Sequence, residues 1–283
     1  MISGKGGTGK TSITAAFASL AKNAVFADCD VDAADLHLIL NPEVKKTMGF
    51  HGLQIAKIDT IKCTGCKRCI KNCKFDAINE RIIVEKSFCE GCGVCQYVCP
   101  VDAIEMINRE SGFSYISKTR FGPMAHAVLK TAEEASGKLV TVVRENAKKI
   151  AREEEKELIV IDGPPGIGCP VISAITGVNL VLVVTEPTLS GMSDLERIIG
   201  VAEHFKIPPM VCINKYDINK DNTKKIQEYC KKKKIDVVGK IPYDTAITKA
   251  LIEEKNIIEF DKESKISKEI IKIWNKIEEK LYH

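Results

Sequence analysis

The chain has 283 residues, 45% of them apolar, enough for one large domain or for one large and one small unit, each with a core. No apolar run approaches the ~18 residues of a membrane span, no charged-then-apolar leader opens the chain, and a net charge of +4 is too mild to argue for nucleic acid. A cytoplasmic protein is therefore expected, and in a reducing cytosol its twelve cysteines point to metal or redox chemistry rather than to disulfides.

In chain order, Gly4-Lys5-Gly6-Gly7-Thr8-Gly9-Lys10-Thr11, with Ser12 behind it, fits G-x-x-x-x-G-K-S/T without departure. Glycines let the backbone wrap and aim its N–H groups inward, and a helix N-terminus behind them favours anions. Lys10 is placed to reach the β- and γ-phosphates of a nucleotide, and Thr11 to offer its hydroxyl to Mg2+. Only Met1 and Ile2 stand where a buried strand of about five or six residues ordinarily precedes such a loop. That strand is expected to be very short, or to lie partly before Met1. Thr11–Ala21 reads as the helix behind the loop. "AVFADCD" (24–30), "ELIVIDGPPG" (157–166), "NLVLVVTEP" (179–187) and "PMVCINKYD" (209–217) read as buried strands with polar or acidic ends. Helical stretches such as Ser190–Phe205 and Lys220–Lys233 alternate with them, which predicts an α/β P-loop fold with a mostly parallel sheet covered by helices on both faces. The run Lys231 to Lys234 is expected on a solvated helix face. Ile266, Ile270, Ile273, Ile277 and Leu281 form a helical stripe expected to pack in the core, with membrane docking as the alternative.

Residues 60–107 break this rhythm and predict a small inserted α+β domain, leaving 1–59 and 108–283 as the discontinuous main domain. "CTGCKRCIKNC" (63–73) and "CEGCGVCQYVC" (89–99) share one spacing, followed by "KFDAI" and "PVDAI". A unit this small needs staples. The run C-x-x-C-x-x-C-x-x-x-C, with Pro100 after the second copy, resembles that of two-cluster bacterial ferredoxins, in which the fourth cysteine of each run ligates the other cluster. The resemblance implies one 4Fe–4S cluster on Cys63, Cys66, Cys69 and Cys99, and a second on Cys89, Cys92, Cys95 and Cys73. Two zinc sites are the alternative, but they would use paired knuckles. Lys74 stands where the second run has its proline, a departure that touches the local turn. Cys29, Cys212 and Cys230 are expected to be buried or incidental thiols. Cys169 is expected to be structural, with a cluster shared across a dimer as the alternative.

With two lysines, "KGGTGKT" resembles the deviant phosphate loop of the MinD/ParA/Mrp ATPases, which include the nitrogenase iron protein. The resemblance implies that Lys5 reaches the nucleotide of a partner subunit, so that ATP binding and dimerisation, with itself or a paralogue, are one event. "DCDVDAADLHL" resembles that family's first switch, implying that Asp30 orients the attacking water and senses Mg2+, with Asp28 beside it and Asp35-Leu36 where the family often has Asn-Leu. "DGPPGIG" (162–168) resembles the second switch, implying Mg2+ held through water by Asp162 and γ-phosphate sensing by Gly166. "NKYD" (214–217) on its own suggests guanine, but in this family Asn214 meets adenine, so ATP is expected over GTP. Pro242 and Asp244 of "IPYD" resemble the loop that closes over the base. The expected protein is a Mg2+-dependent ATPase with two iron–sulfur clusters, coupling ATP to electron transfer or to metallocluster assembly on a client. Alternatives are a cluster carrier or maturation factor, and a spatial organiser on membrane or DNA. The last leaves the eight insert cysteines unexplained.

Overall fold

The structure is a computed structural model, and residues 1–130 and 136–282 are described. In chain order the elements are α1 (Lys10–Ala18), β1 (Ala24–Asp28), α2 (Leu36–Leu40), β2 (Glu43–Phe50), β3 (Leu53–Ile58), α3 (Arg68–Asn72), α4 (Val94–Tyr97), β4 (Ile104–Arg109), β5 (Gly112–Lys118) and β6 (Pro123–Leu129). There follow α5 (Ser136–Glu153), β7 (Leu158–Asp162), α6 (Cys169–Ile175), β8 (Val181–Thr185), α7 (Leu189–His204), β9 (Pro209–Asn214), α8 (Lys220–Lys233), β10 (Asp236–Ile241), α9 (Ala246–Ile252), α10 (Ile257–Phe260) and α11 (Lys265–Tyr282). The chain divides into two compact units, one of Met1–Thr47, Ser114–Val128 and Ser136–His283, the other of Met48–Phe113 and Leu129–Ala135.

The first unit is an α/β layer structure. One sheet runs β2-β5-β6-β1-β7 and another β10-β9-β8. Strand β1 is parallel to both β6 and β7, and β9 is parallel to both β8 and β10. Residues 1–3 lie between β7 and β8. Ile2 N donates to Leu182 O (3.0 Å) and Val184 N to Ile2 O (2.9 Å), while Gly163 N donates to Met1 O (2.8 Å). A very short strand thus stitches the two sheets together, with the phosphate loop leaving its end. Beyond Met1 the facing edges of β7 and β8, with Phe17, Trp274 and Ile277, line a cavity of about 310 Å³.

Alternation along the central strands sends side chains into two cores. Leu182, Val184, Met210 and Cys212 join Ile13, Phe17, Ile270 and Trp274 on one face. Val181, Val183, Val211 and Ile213 join Val171, Leu195, Ile198 and Ile226 on the other. Helix α11 buries Ile266, Ile270, Ile273, Trp274 and Ile277, and Trp274 meets Phe17 at 5.0 Å between ring centroids. The apolar stripe of the last long helix is therefore spent inside this unit, not offered to a membrane. Among the described residues no helix is long and apolar enough to cross one. Lys231 to Lys234 are exposed at the end of α8.

Strands β2 to β6 and β10 are not among those expected from sequence. Strand β5 buries Gly112, Ser114 and Ser117 and β6 buries His126, so neither is an unbroken apolar run, and β2 at the sheet edge is almost wholly exposed, with only Phe50 buried. Such a strand carries no buried run to recognise.

The second unit is closed by an antiparallel ladder in which Leu53–Ile58 pairs with Arg109–Ile104. It extends beyond residues 60–107 because these two strands flank the cysteine runs. Its repeat is visible in the backbone. Gly65 and Gly91 have φ of 73° and 68°, Lys67 and Gly93 of 58° and 76°, and Asp76 and Asp102 of 50° and 46°. Ala77 N donates to Cys73 Sγ at 3.4 Å, and Ala103 N to Cys99 Sγ at 3.3 Å. Its core is small, formed around Ala56, Cys69, Ile78 and Ile104.

Candidate nucleotide site and cysteine cavities

The loop 4–9 turns into α1 through Gly9, whose φ of 87° favours a residue without Cβ. A Cβ on Gly9 would also stand 2.3 Å from Asn214 Nδ2, and one on Gly4 2.1 Å from Asp194 Cβ. Gly7 too has a positive φ of 77°. The loop is therefore both conformationally and sterically committed to glycine. Gly6 is not constrained in this way. Among the described residues, Thr8 Oγ1 is buried without a hydrogen-bond partner, an orphaned donor inside the loop. Ser12 follows on the first turn of the helix.

Three chain segments converge behind the loop. Lys10 Nζ lies 2.8 Å from Asp162 Oδ1 and 3.7 Å from Asp30 Oδ2, and the lysine and Asp162 side chains are 5% and 1% exposed. Thr11 Oγ1 donates to Asp162 Oδ2 at 2.7 Å, and Thr14 Oγ1 to Asp162 Oδ1 at 2.7 Å. Asp28 Oδ1 accepts Asp30 N and Asp28 Oδ2 accepts Leu36 N, both at 3.2 Å, which shapes the 28–36 loop. Burial, with the neighbouring Asp162 charge, raises the Asp28 carboxyl well above its usual range. Burial also lifts Asp30 to about 6, Lys10 opposing and Asp162 adding to the shift. For Lys10 burial works against the ammonium, but Asp162, Asp30 and Asp28 outweigh it and the pKa rises. The cation at the loop is thus permanent, and three carboxyls crowd around it.

The other site residues expected from sequence lie at or follow the C-terminal ends of strands in both sheets. Gly166 has a φ of 93° and donates its N–H to Ser3 O at 2.9 Å. Asn214, expected at the base, donates Nδ2 to Thr8 O at 2.7 Å and so braces the phosphate loop. The loops after β9 and β10 meet, since Asp217 Oδ1 accepts Tyr243 N at 2.8 Å, and Asp244, two residues beyond Pro242, accepts Ala246 N at 2.8 Å. Lys5 is turned onto its own subunit. Its Nζ lies 2.5 Å from Glu186 Oε1 and within 3.5 Å of Thr188 Oγ1 and Ser190 Oγ. Lys215 Nζ also reaches Glu186, at 3.4 Å, and Gly7 O, at 3.0 Å. Glu186 and Thr14 were not singled out from sequence. Their signals are slight: Glu186 is the first acid after a buried strand, and Thr14 lies one helical turn after Lys10.

In the second unit the eight cysteines divide between two cavities. Cys63, Cys66, Cys69 and Cys99 line one, with Ile58, Ile82 and Ile104. Cys73, Cys89, Cys92 and Cys95 line the other, with Ala56, Ile78 and Met106. Among the described residues no three His, Cys, Asp or Glu side chains converge as a single ion requires. Each quartet lines a small space with apolar residues beside a few polar or charged ones, and one cysteine in each accepts a backbone N–H on sulfur. That donor set and spacing fit a cluster of several metal atoms better than a lone ion. The remaining thiols differ. Cys29, Cys212 and Cys230 are buried, and burial pushes Cys212 up to about 12 and Cys230 to about 11, so both stay protonated. Cys169 is exposed at the start of α6. All twelve cysteines are free.

Comparison with known proteins agrees with the fold. An uncharacterized protein of Methanocaldococcus jannaschii is 36% identical over 282 residues, covering 99% of this chain and 95% of the relative. A putative formate dehydrogenase of Staphylococcus haemolyticus is 26% identical over 132 residues, 40% of this chain but 13% of that protein. Among solved structures, the septum site-determining protein MinD of Pyrococcus horikoshii, complexed with Mg-ADP, superposes with a TM-score of 0.60 at 18% identity, covering 99% of this chain and 96% of that one. The profile of the CobQ/CobB/MinD/ParA nucleotide binding domain matches residues 1–257, and the chain belongs to that family.

Proposed function

We propose that this protein is a Mg2+-dependent ATPase that carries two 4Fe–4S clusters and couples its nucleotide state to electron transfer, or to metallocluster assembly, on a partner protein. The observation that carries the reading is the division of the insert cysteines. Each cavity takes three thiols from one run and the fourth from the other, the interleaving of two-cluster ferredoxins. In a nucleotide switch that serves only to position itself on a surface, these eight residues have no task.

At the nucleotide site the reading assigns work to the chain's own groups. The loop N–H groups and Lys10 cradle the phosphates, and Lys10 exchanges its bond to Asp162 for one to the γ-phosphate. Thr11, Asp30 and Asp162 would hold Mg2+, which would neutralise charge on the β- and γ-phosphates. With a pKa near 6, Asp30 is ionised at neutral pH and able to accept a hydrogen bond from the attacking water. Water adds to the γ-phosphorus as its bond to the ADP oxygen breaks, giving ADP and phosphate. Cys63, Cys66, Cys69 and Cys99 would hold one cluster, and Cys73, Cys89, Cys92 and Cys95 the other, supplying one-electron chemistry. The insert lies in sequence between Asp30 and Asp162, so both switch segments connect to it along the chain.

Anaerobic purification with iron and sulfide assay and EPR tests the reading. About eight irons and eight sulfides per chain are expected, with 4Fe–4S signals on reduction and ATP-dependent retention of a partner. A protein that folds but takes up only zinc overturns it. Transfer of its clusters to an apo-protein would favour the carrier reading instead.

A further inference from the structure

Two repeats with matching backbones differ in charge. Positions 62–74 and 88–100 correspond one to one, offset by the spacing of Cys63 and Cys89. In the first stand Lys62, Lys67, Arg68, Lys71 and Lys74, with no acid. At the matching positions stand Phe88, Gly93, Val94, Tyr97 and Pro100, and the only charge in that stretch is Glu90, opposite Thr64. The difference reaches the cavities themselves. The one lined by Cys63, Cys66, Cys69 and Cys99 also has Lys67 and Arg68 in its wall. The other has Glu90 and no basic residue. All five cations are exposed. Lys67 pairs with Glu80 at 2.7 Å, both well exposed. Among the described residues no acidic side chain lies within ion-pair distance of Lys62, Arg68, Lys71 or Lys74. Ile61, beside Lys62, is 96% exposed and adds an apolar contact to the same loop.

A repeat needs no such asymmetry to fold, since the second copy keeps the same turns without it. Unpaired like charges on one short loop and helix repel one another, at a cost to the isolated unit. What they provide is a field that attracts an acidic surface over the ~8 Å Debye length of physiological salt. We infer that the basic face of the first repeat is the docking site for a small acidic electron-carrier protein, and that the Cys63/Cys66/Cys69/Cys99 quartet is the end of the insert through which it exchanges electrons. The inference rests on the two-cluster reading above. One electron crosses from the reduced centre of one protein to the oxidised centre of the other, with no bond made or broken. The second quartet has no basic residue in its wall, only Glu90, so it offers the same carrier no attraction and docking is one-sided.

The test uses the full chain, loaded anaerobically and first checked for iron, sulfide and EPR signal. Its binding to an acidic flavodoxin is measured by biolayer interferometry at roughly 20 and roughly 300 mM salt. Wild type is expected to bind with an affinity that falls steeply with salt. The variant Lys62→Glu/Arg68→Glu/Lys71→Glu should bind about tenfold more weakly at low salt. Lys231→Glu/Lys232→Glu/Lys234→Glu, the same charge change on α8, should stay within about twofold. Equal losses in the two variants, or none in the first, overturn the inference. So does a wild-type affinity indifferent to salt, which needs no variant to fold. A short single-stranded oligonucleotide that binds these lysines more tightly than the flavodoxin at equal salt overturns it in favour of nucleic acid. A chain that takes up no clusters removes the underlying reading and this inference with it. A loaded chain that binds without regard to these lysines removes this inference alone.

Discussion

Asp162 holds the nucleotide site together. Its carboxylate accepts from Lys10, Thr11 and Thr14 while almost fully buried. Removing Lys10 leaves that charge unpaired, so Lys10→Ala should lose ATP binding and also ~3–5 kcal/mol of stability. Asp30 is a different case, since its contact with Lys10 is long, at 3.7 Å. Asp30→Ala should keep nucleotide binding and lose hydrolysis by at least about a hundredfold. Fluorescent-nucleotide titration and phosphate release distinguish the two, and normal hydrolysis by the Asp30 variant would show the switch assignment to be wrong. His126 lies beside Asp28 in the parallel register, stacked against Tyr115 and His37, with Nε2 2.9 Å from Ser117 Oγ. Burial, then the His37 charge, lowers its pKa to about 4. A histidine kept neutral in the fold binds a proton in the unfolded chain first. Stability is therefore full above pH ~6.5 and is lost as pH falls toward 4, by at most about 3 kcal/mol. Denaturant titrations from pH 7 to pH 4.5 should show that slope, and His126→Gln should flatten it.

At the scale of elements, the two cysteine loops share their turns but not their surroundings. A Cβ on Gly91 would stand 2.4 Å from the Gln54 carbonyl of β3, whereas one on Gly65 meets nothing within 4 Å. Both have positive φ. Gly65→Ala should therefore cost about 1 kcal/mol, the backbone term alone. Gly91→Ala adds a clash with main chain, which cannot move as a side chain can, and should cost several kcal/mol. On the two-cluster proposal it should also lower the iron content, whereas Gly65→Ala should not. Iron content and thermal melting of the two variants compare them directly, and equal behaviour would mean that β3 does not support the second loop. The contrast shows what an internal repeat hides. Two runs with one spacing predict two equivalent turns, but which of them is wedged against a strand is settled by the ladder of β3 and β4.

At the scale of the molecule, the question is how nucleotide could bring two copies together. Lys5 pairs with Glu186 through side chains 36% and 12% exposed. Glu186 keeps Lys215, at 3.4 Å, when Lys5 departs, so Lys5 can leave for a phosphate without stranding the carboxylate. Light scattering should therefore find the Asp30→Ala protein dimeric with ATP and monomeric with ADP. Lys5→Ala in that background should stay monomeric in both. A Lys5 variant that still dimerises with ATP would mean that the lysine serves its own subunit. The family provides the fold for such a cycle.

Much of this could be read from residue order. Phosphate loops, strand ends and cysteine runs are local patterns, because backbone wrapping and ligand convergence need fixed spacings along the chain. Tertiary structure decided what depends on residues far apart. It brought Asp162 and Thr14 to Lys10, turned Lys5 onto Glu186, set Asn214 against the phosphate loop, and gave a mostly exposed stretch at 43–50 to the sheet edge. The grouping of each fourth cysteine with the other run was already implied by the ferredoxin-like spacing, and the two cavities divide the thiols the same way. Sequence spacing sets the reach of a loop, but packing alone decides which loop it meets.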